Sequence, residues 1–175
     1  MMITQYYPNP LFRKSGAKHV QSGNGTMTYE ADSEHRYLLH LSSADDMGMQ
    51  CSLPLQGLPK GTPMIFGITA FVPRGATSFR NGGLVTIGYG SWTTITVVGQ
   101  DFASHLGQTA IYRSSFTIPA DADDIQVVFN SPSVNGQSVT LDNPTLMTKD
   151  DWDRYQAMEG RPPRIYWDLM PLTRS

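Results

Sequence analysis

The chain has few charged residues, a single cysteine and no long apolar run, and each of these features argues against a particular kind of site or protein. Only 16% of its 175 residues are charged and the formal net charge is -2, so no basic excess is present for holding a nucleic-acid backbone. Cys51 is the only cysteine, which excludes an intrachain disulfide and a zinc site built from cysteines. The start of the chain lacks the pattern of a secretory signal, and no run approaches membrane-spanning length. We therefore expect a protein made in the cytoplasm that neither inserts into a membrane nor binds nucleic acid.

Short β-like runs separated by turn residues fill the chain as far as residue 147. The run at 37–41 alternates with a period of two, and the continuous apolar run at 64–72 predicts a strand buried on both faces. The prolines at positions 8 and 10 predict that residues 3–12 form an edge segment. Roughly nine or ten such runs without a helical period are typical of an all-β jelly-roll β-sandwich.

The period changes after residues 138–147, SVTLDNPTLM, which we interpret as the closing strand of the sandwich. Thr148 is followed by Lys-Asp-Asp, a capping signal for a short helix. We therefore predict a jelly-roll sandwich over residues 1–147 and a C-terminal helix with an extended docking tail over residues 148–175.

Aromatic residues of this C-terminal part are candidates for docking. The last run, RIYWDLMPL, is too apolar to lie free in solvent, so we expect it to pack on the sandwich or on another subunit. The predicted subunit-docking residues are Trp152, Tyr155, Tyr166 and Trp167.

Histidines and aspartates offer two patterns for catalysis or metal binding. The four histidines, at positions 19, 35, 40 and 105, lack the spacing of a zinc pair, and we interpret them as structural or surface residues. Aspartates at 45, 46, 121, 123 and 124 suit either a glycosidase, which needs two carboxylates across a cleft, or turns. Their clustering in turn-like stretches favours the second interpretation.

Asp142 is the candidate metal ligand. On the closing strand it points to the opposite face from Val139 and Leu141. Two interpretations stay open: the carboxylate binds the backbone at a bend before Pro144, or it ligates a structural calcium ion, which prefers carboxylate and carbonyl oxygens. No other cofactor is expected.

Tyr89, Trp92 and Tyr112 are the candidate carbohydrate-binding residues. An aromatic ring stacks its face on the apolar face of a pyranose, and the GYGSW stretch around Trp92 is typical of an exposed hinge. The competing interpretation is that the tryptophan belongs to the core or to an interface.

The chain resembles the carbohydrate-binding-module-like (galactose-binding-like) jelly-roll proteins of tailed-phage virions, which include minor tail and capsid-associated proteins. The resemblance rests on NPLF near the start, TIPADAD at 117–123, LDNPTLM at 141–147 and the YWD run near the end. It covers nearly the whole chain, although Tyr166-Trp167-Asp168 is followed by Leu169 where that group has glycine.

This resemblance implies a non-enzymatic structural protein of a tailed-phage virion, of the minor tail type, made in the host cytoplasm and then located in the virion. Its implied partners are other virion proteins, further copies of the chain as a homo-oligomer, and a host-surface glycan. The alternatives are a capsid decoration or head-fibre protein, or a carbohydrate-binding module of a glycan-active enzyme.

Overall fold

A computed structural model describes residues 3–14, 16–31 and 37–157 of the chain. Within these residues, ten strands form two five-stranded sheets that pack face to face. The strands are β1 (Val20–Ser22), β2 (Gly25–Ala31), β3 (Tyr37–Ser43), β4 (Gln50–Pro54), β5 (Pro63–Phe71), β6 (Val85–Tyr89), β7 (Thr93–Val98), β8 (Thr109–Thr117), β9 (Gln126–Asn130) and β10 (Ser138–Thr148), followed by the helix α1 (Lys149–Ala157). The predicted all-β jelly-roll β-sandwich with a short C-terminal helix is confirmed.

The two sheets are antiparallel, and α1 packs on one of them. Sheet 1 has the strand order β1-β4-β9-β6-β7 and sheet 2 the order β2-β3-β10-β5-β8. Their inner faces enclose one core, to which sheet 1 contributes Val127 and Phe129 and sheet 2 contributes Leu39 and Leu141. The helix α1 contacts β5 and β10 and so crosses part of the outer face of sheet 2.

The predicted burial of the 64–72 run on both faces is confirmed for residues 64–68 of β5, whereas Thr69 is partly exposed and Phe71 is 40% exposed on the outer face. Phe66 and Ile68 point into the core and are at most 1% exposed. On the other face, a side chain added at Gly67 would lie 3.7 Å from the Trp152 ring of α1. The helix therefore covers the outer side of a central strand, which explains why the apolar run is continuous rather than alternating.

The N-terminal segment lies beside the last part of β10, where β3 no longer pairs with it. The Tyr6 amide donates to the Leu146 carbonyl (2.8 Å), and the Leu146 amide donates to the Gln5 side chain (2.7 Å). The edge position is as predicted, but the sequence did not indicate how deeply the segment enters the core: Tyr7 and Phe12 are fully buried.

The helix α1 begins at the predicted cap. The Asp151 amide donates to the Thr148 hydroxyl (3.1 Å), and the Asp151 carboxylate accepts the Thr4 amide (3.1 Å). Tyr155 packs with Ile3 and Met147 in a small second cluster, so the helix, the chain start and β10 support one another. In the part of the chain that the structure describes, no helix is long and apolar enough to cross a membrane.

The division of the chain at residue 147 stays a prediction. β10 continues to Thr148, one residue past the predicted boundary, and α1 follows without a break. The extended tail lies beyond Ala157, outside the described residues.

Candidate functional site

A groove of about 310 Å³ crosses the outer face of sheet 1 between the β6–β7 turn and the 3-10 turn Arg80–Gly82. We call it the Trp92 groove, and its lining consists of Ser22, Gln50, Ser52, Arg80, Asn81, Trp92, Gln126 and Val128. The volume is at the lower end of the range for ligand pockets, which starts at about 300 Å³.

Strand register explains why polar side chains form the floor of this groove. Val128 of β9 pairs with Ser52 of β4 on one side and with Thr86 of β6 on the other, so these three residues share the outer face. Their neighbours along the strands, such as Cys51 and Phe129, point inward and are fully buried. The outer face of these strands therefore offers hydroxyl and amide groups to the groove over a core-facing apolar layer.

A buried asparagine fixes one of the floor amides. Asn130 is fully buried and donates its side-chain amide to the Gly83 carbonyl (2.9 Å). Its side-chain oxygen accepts a hydrogen bond from the Gln50 amide (2.8 Å). Because Asn130 is itself held on both sides, the Gln50 side chain is positioned at the groove rather than free to move.

Trp92 forms one wall in a strained conformation. Its φ is 119°, a region that bulky residues rarely adopt and that costs roughly 1–3 kcal/mol. The ring lies over Gly88, where an added Cβ would be 3.1 Å from it. Trp92 is nevertheless 40% exposed, so the exposure predicted from GYGSW is confirmed. Strain of this kind is typical of functional sites.

The opposite wall carries the groove's positive charge. Arg80 is exposed, and within the described part of the chain no carboxylate forms an ion pair with it. None of the groove's lining residues in that part is Asp or Glu. The groove thus combines neutral hydrogen-bonding groups, one indole ring and one guanidinium group.

The structure does not bring the three predicted carbohydrate-binding residues together. Tyr112 is 2% exposed on the inner face of sheet 2, with its ring against His105 at 5.9 Å between centroids, so the prediction is wrong for Tyr112: a ring inside the sandwich cannot stack on a sugar. Tyr89 is partly buried against the core and, next to Gly88 on β6, faces away from the groove. Trp92 alone of the three lines it.

The histidines and aspartates within residues 3–14, 16–31 and 37–157 form no cluster of three that could act as a metal site. His19 is buried and hydrogen-bonded to two tyrosine hydroxyls, and His35 lies outside the described residues. The Asp45 carboxylate accepts the amides of Met47 and Gly48, which confirms the turn-forming interpretation there.

Asp142 lies on the outer face of sheet 2, on the opposite side of β10 from buried Leu141, as predicted. It precedes an irregularity in the pairing of β10 with β5 and lines a second cavity together with Trp152 and Tyr155. Calcium binding by Asp142 stays a prediction.

The structure bears differently on each of the predicted docking residues. Tyr155 is only 8% exposed because its own chain covers it, so its assignment to subunit docking is corrected. Trp152 is half-buried over sheet 2, and its docking role stays a prediction. Tyr166 and Trp167 lie outside the described residues.

Sequence reasoning missed most of the Trp92 groove. Gln50 and Ser52 alternate with Cys51 and Leu53, a signal that places the two polar residues on an outer face. Nothing in the local sequence indicates that Gln126 and Arg80 lie beside them, because those contacts depend on strand order.

The fold is that of known carbohydrate-binding modules. No protein-family model matches the chain, and no curated protein matches its sequence. Among solved structures, the C-terminal family 22 carbohydrate-binding module of Clostridium thermocellum Xyn10B is 20% identical, with a TM-score of 0.53 over 83% of this chain and 94% of that one. The CBM22-1 xylan-binding domain of Paenibacillus barcinonensis Xyn10C is 9% identical, with a TM-score of 0.54 over 85% and 92%.

A phage protein also shares this fold. The enzymatically active domain of bacteriophage CBA120 tailspike protein 4 is 14% identical, with a TM-score of 0.54 over 81% of this chain. The match covers 20% of the tailspike chain, so the likeness concerns one part of that protein. At these identities the comparisons establish architecture, and the chain has the jelly-roll fold found in carbohydrate-binding modules.

Proposed function

We propose that the chain is a non-catalytic carbohydrate-binding module that binds a glycan in the Trp92 groove. The observation that carries the proposal is the exposed, strained indole of Trp92 beside a floor of amides and hydroxyls on one sheet face. A pyranose ring stacks on such a ring while its hydroxyls exchange hydrogen bonds with neutral polar groups. The similar modules of Xyn10B and Xyn10C, one described as xylan-binding, support the same class of ligand.

The groove chemistry favours binding over hydrolysis. Glycosidases generally hold two carboxylates across the scissile bond, whereas the described residues that line the Trp92 groove contribute none. Hydrolysis of a bound oligosaccharide by the purified protein, measured by the release of reducing ends, would overturn the non-catalytic assignment. We expect no release above that of a buffer control.

The groove also indicates which glycans to test. Its one charged side chain is Arg80, whose guanidinium group has no carboxylate partner among the described residues. A guanidinium group binds carboxylate and phosphate groups strongly, so uronic-acid-bearing or phosphate-bearing glycans should bind more tightly than their neutral counterparts. Arg80→Gln should remove that difference, because glutamine keeps a hydrogen-bond donor at the groove but carries no charge.

For the biological setting, we propose a structural protein of a tailed-phage virion, of the minor tail type, which assembles with other virion proteins and displays the sandwich toward the host surface. The motifs NPLF, TIPADAD and LDNPTLM support this setting, as does the shared fold of the tailspike domain. Homo-oligomerisation is part of the proposal and is testable by light scattering of the purified chain.

A second setting is supported by other structures. The fold recurs in modules of xylanases such as Xyn10B, so a binding module of a glycan-active enzyme is the alternative. The neighbouring reading frames separate the two settings: capsid or tail genes on both sides support the virion, and a glycoside hydrolase domain in the same reading frame supports the enzyme module.

A further inference from the structure

A second and larger concavity lies on the opposite side of the sandwich, between α1 and the outer face of sheet 2. We call it the helix groove. Its volume is about 580 Å³, within the range of pockets that bind small ligands. The lining consists of Gly67, Ile68, Thr69, Thr109, Ala110, Ile111, Arg113, Asp142, Asn143, Thr145, Trp152, Tyr155 and Gln156.

Strand register brings the floor of the helix groove together from three strands. Thr69 of β5 pairs with Asp142 of β10 and with Ile111 of β8, so a carboxylate, a hydroxyl and an aliphatic side chain lie in one row. In the adjacent row, Gly67 pairs with Arg113 on β8. The missing side chain at Gly67 leaves room for the helix to approach, with Trp152 above it.

The wall toward α1 is built from two aromatic rings and a guanidinium group in mutual contact. The Arg113 guanidinium lies 5.0 Å from the centroid of the Trp152 ring, and the Tyr155 ring is 5.9 Å from the same ring. A guanidinium held over an aromatic face is restrained while its edge still donates hydrogen bonds. The wall is therefore pre-organised, which lowers the cost of binding.

The chemistry of this lining selects for a neutral, polyhydroxylated ligand. The Asp142 carboxylate and the Arg113 guanidinium both line the groove, so neither an anion nor a cation is strongly favoured, and their polarity disfavours a wholly apolar ligand. Sugar hydroxyls can hydrogen-bond with the Thr69 hydroxyl, the Asn143 amide and the Arg113 guanidinium of the lining. Ile111, which is 62% exposed, offers an apolar surface to the C–H face of a sugar. A saccharide carries both hydroxyl groups and an apolar C–H face, so it fits this lining.

We propose that the helix groove is a second saccharide-binding site, for a neutral sugar, independent of the Trp92 groove. With one site on each outer face, a single chain would bind two glycan segments and gain avidity on a polymeric surface without any additional contact. The two sites share no residue, so each proposal can fail without the other.

The test is an array of immobilised oligosaccharides probed with the full-length wild-type protein, Trp92→Ala, Ile111→Lys and the double variant. We expect the Trp92→Ala protein to retain binding to at least one neutral glycan. The double variant should bind that glycan roughly tenfold more weakly or worse, because a charged lysine side chain replaces the apolar contact of Ile111 with the sugar. Titration calorimetry with that glycan should then give two sites per wild-type chain and one in either single variant.

The outcomes separate the two sites. Failure of Trp92→Ala to bind any glycan overturns the second site, and so does binding that the added Ile111→Lys change leaves intact. Loss of binding in Ile111→Lys alone, with Trp92→Ala equal to wild type, keeps the helix groove and rejects the Trp92 groove. No binding by the wild-type protein rejects both.

Two further variants keep the test independent of folding. Ser115→Lys adds the same charge at an exposed position further along β8, outside the groove lining, and should bind like wild type. If Ile111→Lys lowers the unfolding midpoint, Thr109→Lys replaces it, because Thr109 is exposed and lines the same groove.

Discussion

His19 should make the stability of the sandwich fall in mild acid. The imidazole is 6% exposed and lies between two tyrosines: the Tyr7 hydroxyl is 2.6 Å from Nε2 and the Tyr29 hydroxyl 2.8 Å from Nδ1. A neutral imidazole has one donor and one acceptor nitrogen, and the two hydroxyls satisfy both. Replacing His19 with Gln removes the titrating group while keeping a polar side chain there.

Burial of His19 sets how much stability the sandwich loses in acid. It lowers the pKa of His19 from 6.5 to about 4, because the charged imidazolium is poorly solvated among the rings around it. The unfolded chain therefore binds the proton first as the pH falls, so the contribution is complete above about pH 6.5 and is lost between about pH 6.5 and about pH 4. That pKa difference corresponds to about 3 kcal/mol.

Neighbouring groups stay neutral in this range. Burial raises the pKa of Tyr7, of Tyr29 and of the Cys51 thiol, so none of them changes charge between about pH 4 and about pH 7. His19 is therefore the titrating group of this core network.

The assay is urea unfolding of the wild type and His19→Gln at several pH values from about pH 7.5 to about pH 4. Carboxylate titration is common to both proteins, so the difference between their unfolding free energies isolates His19. We expect the wild type to lose about 3 kcal/mol relative to the variant as the pH falls. Parallel profiles of the two proteins would contradict this role of His19.

Three further predictions address the helix, the groove and the core. Thr148→Ala should lower the unfolding free energy by about 1 kcal/mol in urea titrations, because the Asp151 amide loses its cap. Gly88→Ala should weaken glycan binding roughly tenfold in titration calorimetry, because the new Cβ meets the Thr93 carbonyl oxygen at 2.9 Å and the Trp92 ring at 3.1 Å, which moves the groove wall. Cys51, fully buried with its pKa raised by burial, should react with a thiol reagent only after the protein unfolds.

Each of these has a control and a contradicting result. Lys149→Ala removes an exposed ion pair and should cost less than the cap variant; an equal cost for both would reject the cap. Gly90→Asn lies in open space at a φ of 60° that Asn tolerates, and it should bind like wild type, whereas unchanged binding in Gly88→Ala would reject the positioning role of that glycine. Rapid labelling of Cys51 in the native protein would contradict its burial.

Local patterns of the sequence predict the strands and the cap well because both depend on neighbouring residues. The alternation that places Asp142 opposite Leu141 and the hydroxyl of Thr148 before α1 are properties of a few consecutive positions. The same alternation placed Tyr112 on one face of β8, but could not tell which face the other sheet covers. Which face of β8 is covered depends on strand order. In this fold the face that carries Tyr112 points into the core, so Tyr112 has no surface role.

The candidate site was less predictable than the fold for the same reason. Trp92 was accessible to sequence reasoning because its exposure follows from the glycines and serine of its own turn. Gln50 and Gln126 come close only because β4 and β9, far apart in sequence, are adjacent in sheet 1. Side chains that meet across a sheet leave no local signal.

The most direct test of glycan binding in the Trp92 groove is the affinity of Trp92→Ala for the polysaccharide that the wild type binds most tightly. The unfolding midpoint of the variant is measured alongside. Phe71→Ala is the matched control, since Phe71 is also 40% exposed but lines neither groove. We expect Trp92→Ala to lose roughly tenfold in affinity without a lower unfolding midpoint, and Phe71→Ala to bind like wild type. Equal affinity of Trp92→Ala and wild type would contradict glycan binding in the Trp92 groove.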